Sequence, residues 1–153
     1  MPDDGGDPPS ERGSAASDNT APIDYDVLGR LGQRLLGSER FERVEYRPAY
    51  APTSVVLEFN CGYFPAAVER ASLQVRWYEN EDFGFHYSED RQEDHRFECR
   101  WDRHPNTHNT REHFHPPPNA ATSGVDESYP DDWRDVVVEV VENLDSHIKA
   151  FWK

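Results

Sequence analysis

The chain has 153 residues and a formal net charge of −14, from 30 Asp and Glu against 16 Lys and Arg. This balance repels nucleic acids and anionic membranes at long range. We also see neither a run of about 18 apolar residues nor a signal peptide, so we expect a cytoplasmic protein without membrane contact. Acidic excess with only two lysines, Lys149 and Lys153, is also typical of halophilic proteins. In molar salt the Debye length is about 3 Å, so net charge then says little about partners.

The N-terminal part of the chain divides into a tail and a short helix. Residues 1–22 are rich in Asp, Gly, Pro and Ser, which predicts a disordered acidic tail, and residues 23–153 are long enough for a single domain. Asp24 is a suitable helix cap and Gly37 a suitable stop. Between them, apolar residues recur at helical spacing: Val27, Leu28, Leu31, Leu35 and Leu36.

From Phe41 the apolar residues alternate with polar ones, which predicts half-buried strands. The alternating apolar positions are Val44, Tyr46; Val55, Leu57, Phe59, Cys61; Ala71, Leu73, Val75, Trp77; Phe83, Phe85, Tyr87; and Phe97, Cys99, Trp101. The polar stretches "ENED" and "SEDRQED" separate the last three strands and predict an antiparallel meander. The opposite, polar face carries Gln74, Arg76, Tyr78, His86, Arg96 and Arg100. We expect buried thiols at Cys61 and Cys99, and core positions for Trp77, Trp101 and Trp133.

A second helix is predicted at the C-terminus. Ser128 is the expected cap, Pro130 suits the first turn, and Asp131 and Asp132 favour the positive end of the helix dipole. One apolar stripe follows at steps of three or four: Trp133, Val137, Val140, Leu144, Ile148 and Phe151. The predicted fold class is therefore α+β, an antiparallel sheet of about five strands with an N-terminal and a C-terminal helix on one face.

Four of the seven histidines lie in the segment "HPNTHNTREHFHPPP", residues 104–118. Its three prolines disfavour a helix or a central strand, so we expect a loop anchored to the sheet edge. If the backbone is locally extended, His113 and His115 project to one side and Phe114 to the other. We expect the isolated His95 and His147 on the surface.

The residues alone leave three interpretations of this segment open. His104, His108, His113 and His115 have the count of a Zn²⁺ site, although their spacing matches no standard one. Two of these histidines could instead act as general base and acid on a phosphodiester, with Arg100 or Arg111 stabilising the developing charge. In a purely structural interpretation they cap turns and pair with acidic neighbours such as Glu112 and Asp102.

The run "RWDRHPNTHNTREHFHPPP", followed by "SYPDDWRDVVVEVVENLD", resembles the C-terminal half of the TumE-like toxin family. The resemblance covers residues 40–152 in the order of elements and residues 100–118 in specific positions. The matching positions are Trp101 and Asp102 at a strand end, and His108, His113 and His115 in the loop. The sequence departs from the family at Arg103, where the family has Asn, and its loop is lengthened by "NTHNTRE", so His104 receives no assignment.

The resemblance implies a toxin of a type II toxin–antitoxin pair, with a cognate antitoxin as partner and RNA as the substrate of a ribonuclease. Because RNA supplies its own 2′-OH nucleophile, no cofactor is required, with Zn²⁺ as the alternative. On this hypothesis His113 and His115 are general base and acid, and His108 is a third catalytic histidine. Asp102 orients an imidazole. The expected phosphate- and substrate-binding residues are Arg100, Arg111, Arg76, Tyr78 and His86.

A different class of protein fits the same residues. A metal-binding or protein-interaction module of a halophile would use the histidine-rich loop for ligands or contacts and would have no turnover. If the chain is a toxin, a basic segment of the antitoxin suits its acidic surface, and a homodimer is compatible with the sequence.

Overall fold

The computed structural model describes residues 21–105, 111–121 and 124–153, and this part of the chain has an α+β fold. Its helices and strands are α1 Tyr25–Leu36, β1 Phe41–Arg47, β2 Ser54–Phe59, β3 Val68–Trp77, β4 Phe83–Arg91, β5 Arg96–Arg103, β6 Glu112–His115, β7 Val125–Asp126 and α2 Trp133–Ala150. The predicted acidic tail, apart from residues 21 and 22, lies outside the described residues. No helix of the described ranges is both long and apolar enough to cross a membrane.

The strands of the described residues form one seven-stranded sheet in the order in which they follow along the chain. Each strand pairs with the next in antiparallel orientation, so the predicted meander is confirmed. The prediction of about five strands missed β6 and β7. They have only four and two residues, too few to show an alternating pattern in the sequence.

The hydrophobic core lies between one face of the sheet and the two helices. Its buried side chains include Leu28, Leu31 and Leu35 of α1; Val137, Val140, Leu144 and Ile148 of α2; and Leu57, Leu73, Val75, Phe85 and Tyr87 of the sheet. Trp77 and Trp101 are buried and Trp133 packs against the core partly buried, so the prediction of core tryptophans is confirmed. Leu36, predicted on the apolar stripe, is 51% exposed because α1 ends there.

Each of the two helices begins with an aspartate cap. In α1 the Asp24 carboxylate accepts a hydrogen bond from Val27 N at 3.1 Å, as the sequence predicts. In α2 the cap is Asp132, which accepts from Arg134 N at 2.8 Å, so the prediction of Ser128 as cap is wrong. The chain before Asp132 is held to the sheet instead, since Tyr129 N donates to the Glu112 carboxylate.

The structure also corrects the predictions for Cys61, for the turn "SEDRQED" and for His147. Cys61 is exposed in a short 3₁₀ turn after β2, whereas Cys99 is buried as predicted. The stretch "SEDRQED" is only partly a turn, because β4 continues to Arg91. This places Glu89 in the core. Its carboxylate lies 2.5 Å from His147 Nε2, so His147 packs partly buried against the core and is not the surface residue that the sequence predicts.

Candidate functional site

The histidine-rich segment forms part of the sheet. His113 and His115 lie on β6, and Phe114 between them packs on the core face against Trp101, with ring centroids 5.3 Å apart. Because side chains alternate along a strand, both histidines project from the opposite, polar face. The loop prediction is therefore wrong for residues 112–115, while the conditional prediction for an extended backbone is confirmed. His108 lies outside the described residues.

The antiparallel register places the polar residues of β5 and β6 directly opposite one another. Asp102 pairs with His113, and Arg100 pairs with His115. On the other side of β5, Asp102 faces Gly84 of β4. A Cβ at position 84 would lie 3.2 Å from Asp102 Oδ1, so the glycine leaves room for the carboxylate.

Four side chains surround the Asp102 carboxylate, and together these five residues are called the Asp102 cluster. The distances from Asp102 Oδ2 are 2.6 Å to Arg100 Nε, 3.2 Å to His115 Nε2, 3.6 Å to His113 Nε2 and 3.7 Å to His104 Nε2. The imidazole rings are in edge contact, with centroids 4.8 Å apart for His104 and His113, and 4.8 Å for His113 and His115. One carboxylate thus serves several cationic or polar partners.

The charge of the carboxylate follows from these contacts. Burial opposes ionisation of Asp102, but the hydrogen bonds of His104 and His115 and the charge of Arg100 outweigh it and hold the pKa of Asp102 well below its usual range. The same contact acts on the partner, since the hydrogen bond to Asp102 raises the pKa of His104.

The backbone fixes the tautomer of two of these imidazoles. His115 Nδ1 lies 2.5 Å from the carbonyl oxygen of Ala121, and His104 Nδ1 lies 2.9 Å from that of Pro105. A carbonyl oxygen only accepts hydrogen bonds, so Nδ1 carries the proton in each ring. In the neutral ring Nε2 then carries a lone pair, which is directed towards Asp102.

The chain after β6 folds over the inner part of the cluster. Ala120 N donates to Glu98 O, which keeps this segment against β5, and a Cβ at Gly124 would lie 2.8 Å from Phe114 O. As a result His113 and His115 are only 0% and 2% exposed. The side chains of His104 and Arg100 are 24% and 26% exposed, and they form the solvent-facing part of the cluster.

Two other predicted site residues, His86 and Arg76, lie on the same polar face of the sheet as the cluster. His86 is directly opposite Arg100 on β4, and its Nε2 lies 3.2 Å from Glu98 Oε1. Burial lowers the pKa of His86, and this effect exceeds the opposing one of Glu98. Arg76 faces Gly84 from β3, on the same polar face.

Arg111 and Tyr78 are placed away from the Asp102 carboxylate. The Arg111 guanidinium forms an ion pair with Asp82 and donates to Asn80 O at 3.2 Å, on the turn between β3 and β4. Tyr78 follows β3 and forms an isolated bridge with Ile23.

Sequence reasoning missed two features of the molecule. Gly84, opposite Asp102, was detectable as a glycine inside the alternation "FGF", a position that often marks a close approach. The buried carboxylate of Glu89 accepts from Tyr87 Oη, from Arg91 and from His147. No sequence signal identified it, because its core position depends on how far β4 extends.

Comparisons with known proteins complete the description. Residues 30–148 match the family model described as Toxin TumE. Neither the curated proteins nor the solved structures give a match. The family match spans most of the chain and includes the Asp102 cluster, and the chain therefore belongs to the TumE toxin family.

Proposed function

We propose that this toxin is an endoribonuclease that cleaves RNA through attack of the 2′-OH group. The observation that carries the proposal is the position of Arg100 on the polar face of the sheet. Arg100 lies opposite His86 across the strands and shares the Asp102 carboxylate with His104. Phosphodiester transesterification is helped by a general base, a general acid and a cation, and His86, His104 and Arg100 are candidates for these roles.

The reaction assigns one role to each of these side chains. His86 accepts the proton of the 2′-OH, whose oxygen then forms a bond to phosphorus while the bond from phosphorus to the 5′-oxygen breaks. His104 donates a proton to that leaving oxygen. Arg100 binds the non-bridging oxygens, where negative charge accumulates. The products are a 2′,3′-cyclic phosphate and a free 5′-OH.

The electrostatic environment supports the role of His86. Burial lowers its pKa, so the ring is neutral at pH 7 and able to accept a proton. Glu98 Oε1, 3.2 Å from Nε2, is placed to orient the ring and to stabilise the imidazolium that forms. His104 Nε2 lies 3.7 Å from Asp102 Oδ2, and this carboxylate raises the pKa of His104, which favours the protonated ring that can donate to a leaving oxygen.

This assignment differs from the pair favoured by the sequence. His113 and His115 are almost completely buried, so in this proposal they hold the Asp102 carboxylate and do not touch RNA. Arg76, two strands from Asp102 on the same face, is placed to bind a neighbouring phosphate.

The first prediction concerns cleavage of end-labelled RNA by toxin freed of antitoxin. We expect 2′,3′-cyclic phosphate ends, and a rate about 100-fold lower for His86→Gln and for His104→Gln. His95→Gln is the matched control, because the His95 side chain is 75% exposed, and it should cleave at the wild-type rate. No cleavage by the wild type in either dilute or molar KCl would refute the proposal. So would full activity of both variants.

Membership of a toxin family implies a cognate antitoxin. We propose that the antitoxin covers the exposed side of the Asp102 cluster, and that a basic segment of it contacts acidic groups elsewhere on this chain, whose net charge is −14. Stoichiometric antitoxin should then stop cleavage and protect His104, but not His95, from diethyl pyrocarbonate. Equal modification of His104 in free and bound toxin would place the antitoxin elsewhere.

A further inference from the structure

We propose that the buried part of the Asp102 cluster, formed by Asp102, His113 and His115, binds one divalent transition-metal ion of the Zn²⁺ type. The ligand atoms of these three side chains all lie within 4.8 Å of one another. Each of the residues is at most 3% exposed, and they sit on facing strands of a rigid sheet. The site is therefore preformed and shielded from bulk water.

The distances agree with tetrahedral coordination. Zn²⁺ binds imidazole nitrogen and carboxylate oxygen at about 2.0–2.2 Å, which places neighbouring ligand atoms about 3.4 Å apart. Asp102 Oδ2 lies 3.2 Å from His115 Nε2 and 3.6 Å from His113 Nε2. The ligand atoms of all three side chains lie within 4.8 Å of one another, so a bound ion would draw them closer together.

The tautomer of His115 is the one that metal ligation needs. Its Nδ1 proton is donated to the carbonyl of Ala121, so Nε2 carries the lone pair. Within the described ranges this Nε2 has no hydrogen-bond partner apart from the Asp102 carboxylate, 3.2 Å away. A lone pair and a carboxylate oxygen 3.2 Å apart can share a cation, which is a proton in the metal-free protein and the metal ion once it binds.

The donor atoms also indicate the class of ion. Imidazole nitrogen with one carboxylate favours Zn²⁺ and related transition metals over Mg²⁺ or Ca²⁺, which prefer oxygen alone. Arg100 binds the same carboxylate oxygen, and a carboxylate oxygen has lone pairs for both partners. The Arg100 charge balances that of Asp102, so a bound dication leaves the site positive next to the proposed phosphate position.

With three protein ligands, a tetrahedral ion keeps a fourth position for water or another ligand. The metal proposal does not rest on the ribonuclease proposal, because the side chains that transfer protons there are His86 and His104.

The test is a titration of EDTA-treated, full-length toxin with ZnCl₂, followed by calorimetry and by thermal unfolding. We expect one equivalent to bind and to raise the melting temperature. Asp102→Asn and His115→Gln should each weaken this binding by about 100-fold or more. His95→Gln should bind like the wild type, which controls for weak association with surface histidines and acidic groups.

A folding control keeps the result interpretable. The melting temperature of each variant is first measured in EDTA, and the one closest to the wild-type value is used for the titration. Co²⁺ provides a second readout, since tetrahedral Co²⁺ absorbs in the visible range and the variant should lose that band. Absence of one-equivalent binding, or binding unchanged by either folded variant, would overturn the metal site.

The two proposals fail separately. Toxin that binds Zn²⁺ but never cleaves RNA would refute the ribonuclease and leave the metal site intact. Toxin that produces cyclic phosphate ends in EDTA and binds no Zn²⁺ would refute the metal site and leave the ribonuclease proposal intact.

Discussion

Two buried carboxylates, Asp102 and Glu89, lie on opposite faces of the same sheet. Burial disfavours the charge of each, yet hydrogen bonds from histidine and arginine outweigh burial and lower both pKa values. Glu89 is bound by His147 at 2.5 Å and by Arg91 at 2.8 Å. Each carboxylate is therefore held by a network of histidine and arginine side chains. Loss of these partners leaves the buried negative charge of the carboxylate unpaired.

The Glu89 network gives a prediction about pH. Because the folded-state pKa of Glu89 lies below its unfolded value, its contribution to stability is present above the unfolded pKa and is lost as the pH falls through the folded pKa. We expect Glu89→Gln to cost about 3 kcal/mol at pH 7, with a smaller difference from the wild type at acidic pH. Urea unfolding across this pH range measures the difference.

The control for that experiment is Glu93→Gln, whose side chain is 88% exposed. This substitution should change the free energy of unfolding by less than about 0.5 kcal/mol at every pH. A Glu89→Gln deficit that does not shrink on acidification would show that packing, and not the charge, accounts for it.

At the scale of elements, two glycines of α1 illustrate how neighbours decide the effect of a residue. A Cβ at Gly29 would meet nothing within 4 Å, whereas a Cβ at Gly32 would collide with the Tyr46 hydroxyl and lie 3.1 Å from Cζ. We expect Gly29→Ala to stabilise the protein by about 0.5–1 kcal/mol, since glycine is a poor helix former.

Gly32→Ala should instead destabilise by about 1–3 kcal/mol, because the added methyl group overpacks the contact between α1 and β1. Chemical denaturation of both variants provides the comparison within one helix. Stabilisation by both substitutions would mean that Tyr46 moves aside at no cost, and the proposed close packing would be refuted.

The strand β6 has little signal in the sequence, so the histidine segment by itself predicts a loop. Its four residues "EHFH" contain one apolar side chain, and they are followed at once by three prolines. The strand forms because β5 on one side and β7 on the other satisfy its backbone. That pairing aligns His113 with Asp102 and His115 with Arg100, which no spacing within the segment could predict.

At the scale of the whole molecule, the charge of −14 predicts a dependence on salt. Repulsion among acidic groups destabilises the compact state, and salt screens it. We expect the melting temperature to rise with KCl and to level off near 1 M, where the Debye length is about 3 Å. Thermal unfolding in a KCl series tests the expected halophilic character. A melting temperature that stays constant or falls would contradict it.

The sequence by itself determined the class of fold and most of the core. Periods of two and of about 3.6 residues follow directly from backbone geometry, so five of the seven strands, both helices and the tryptophans of the core could be predicted. The cap of α1 followed from Asp24 in the same way. Four residues named from the sequence, Asp102, Arg100, His113 and His115, meet in the cluster, whereas Arg111 and Tyr78 lie away from it.

Only the tertiary structure decided which of these residues meet and which reach solvent. The strand register brings the cluster together around Asp102, and the segment after β6 buries His113 and His115 while leaving His104 and Arg100 accessible. Such properties depend on contacts between elements distant in sequence, and local periodicity carries no information about them. For this reason the chain could suggest which residues belong to the cluster, but the contacts and the exposure of each side chain could not be predicted from it.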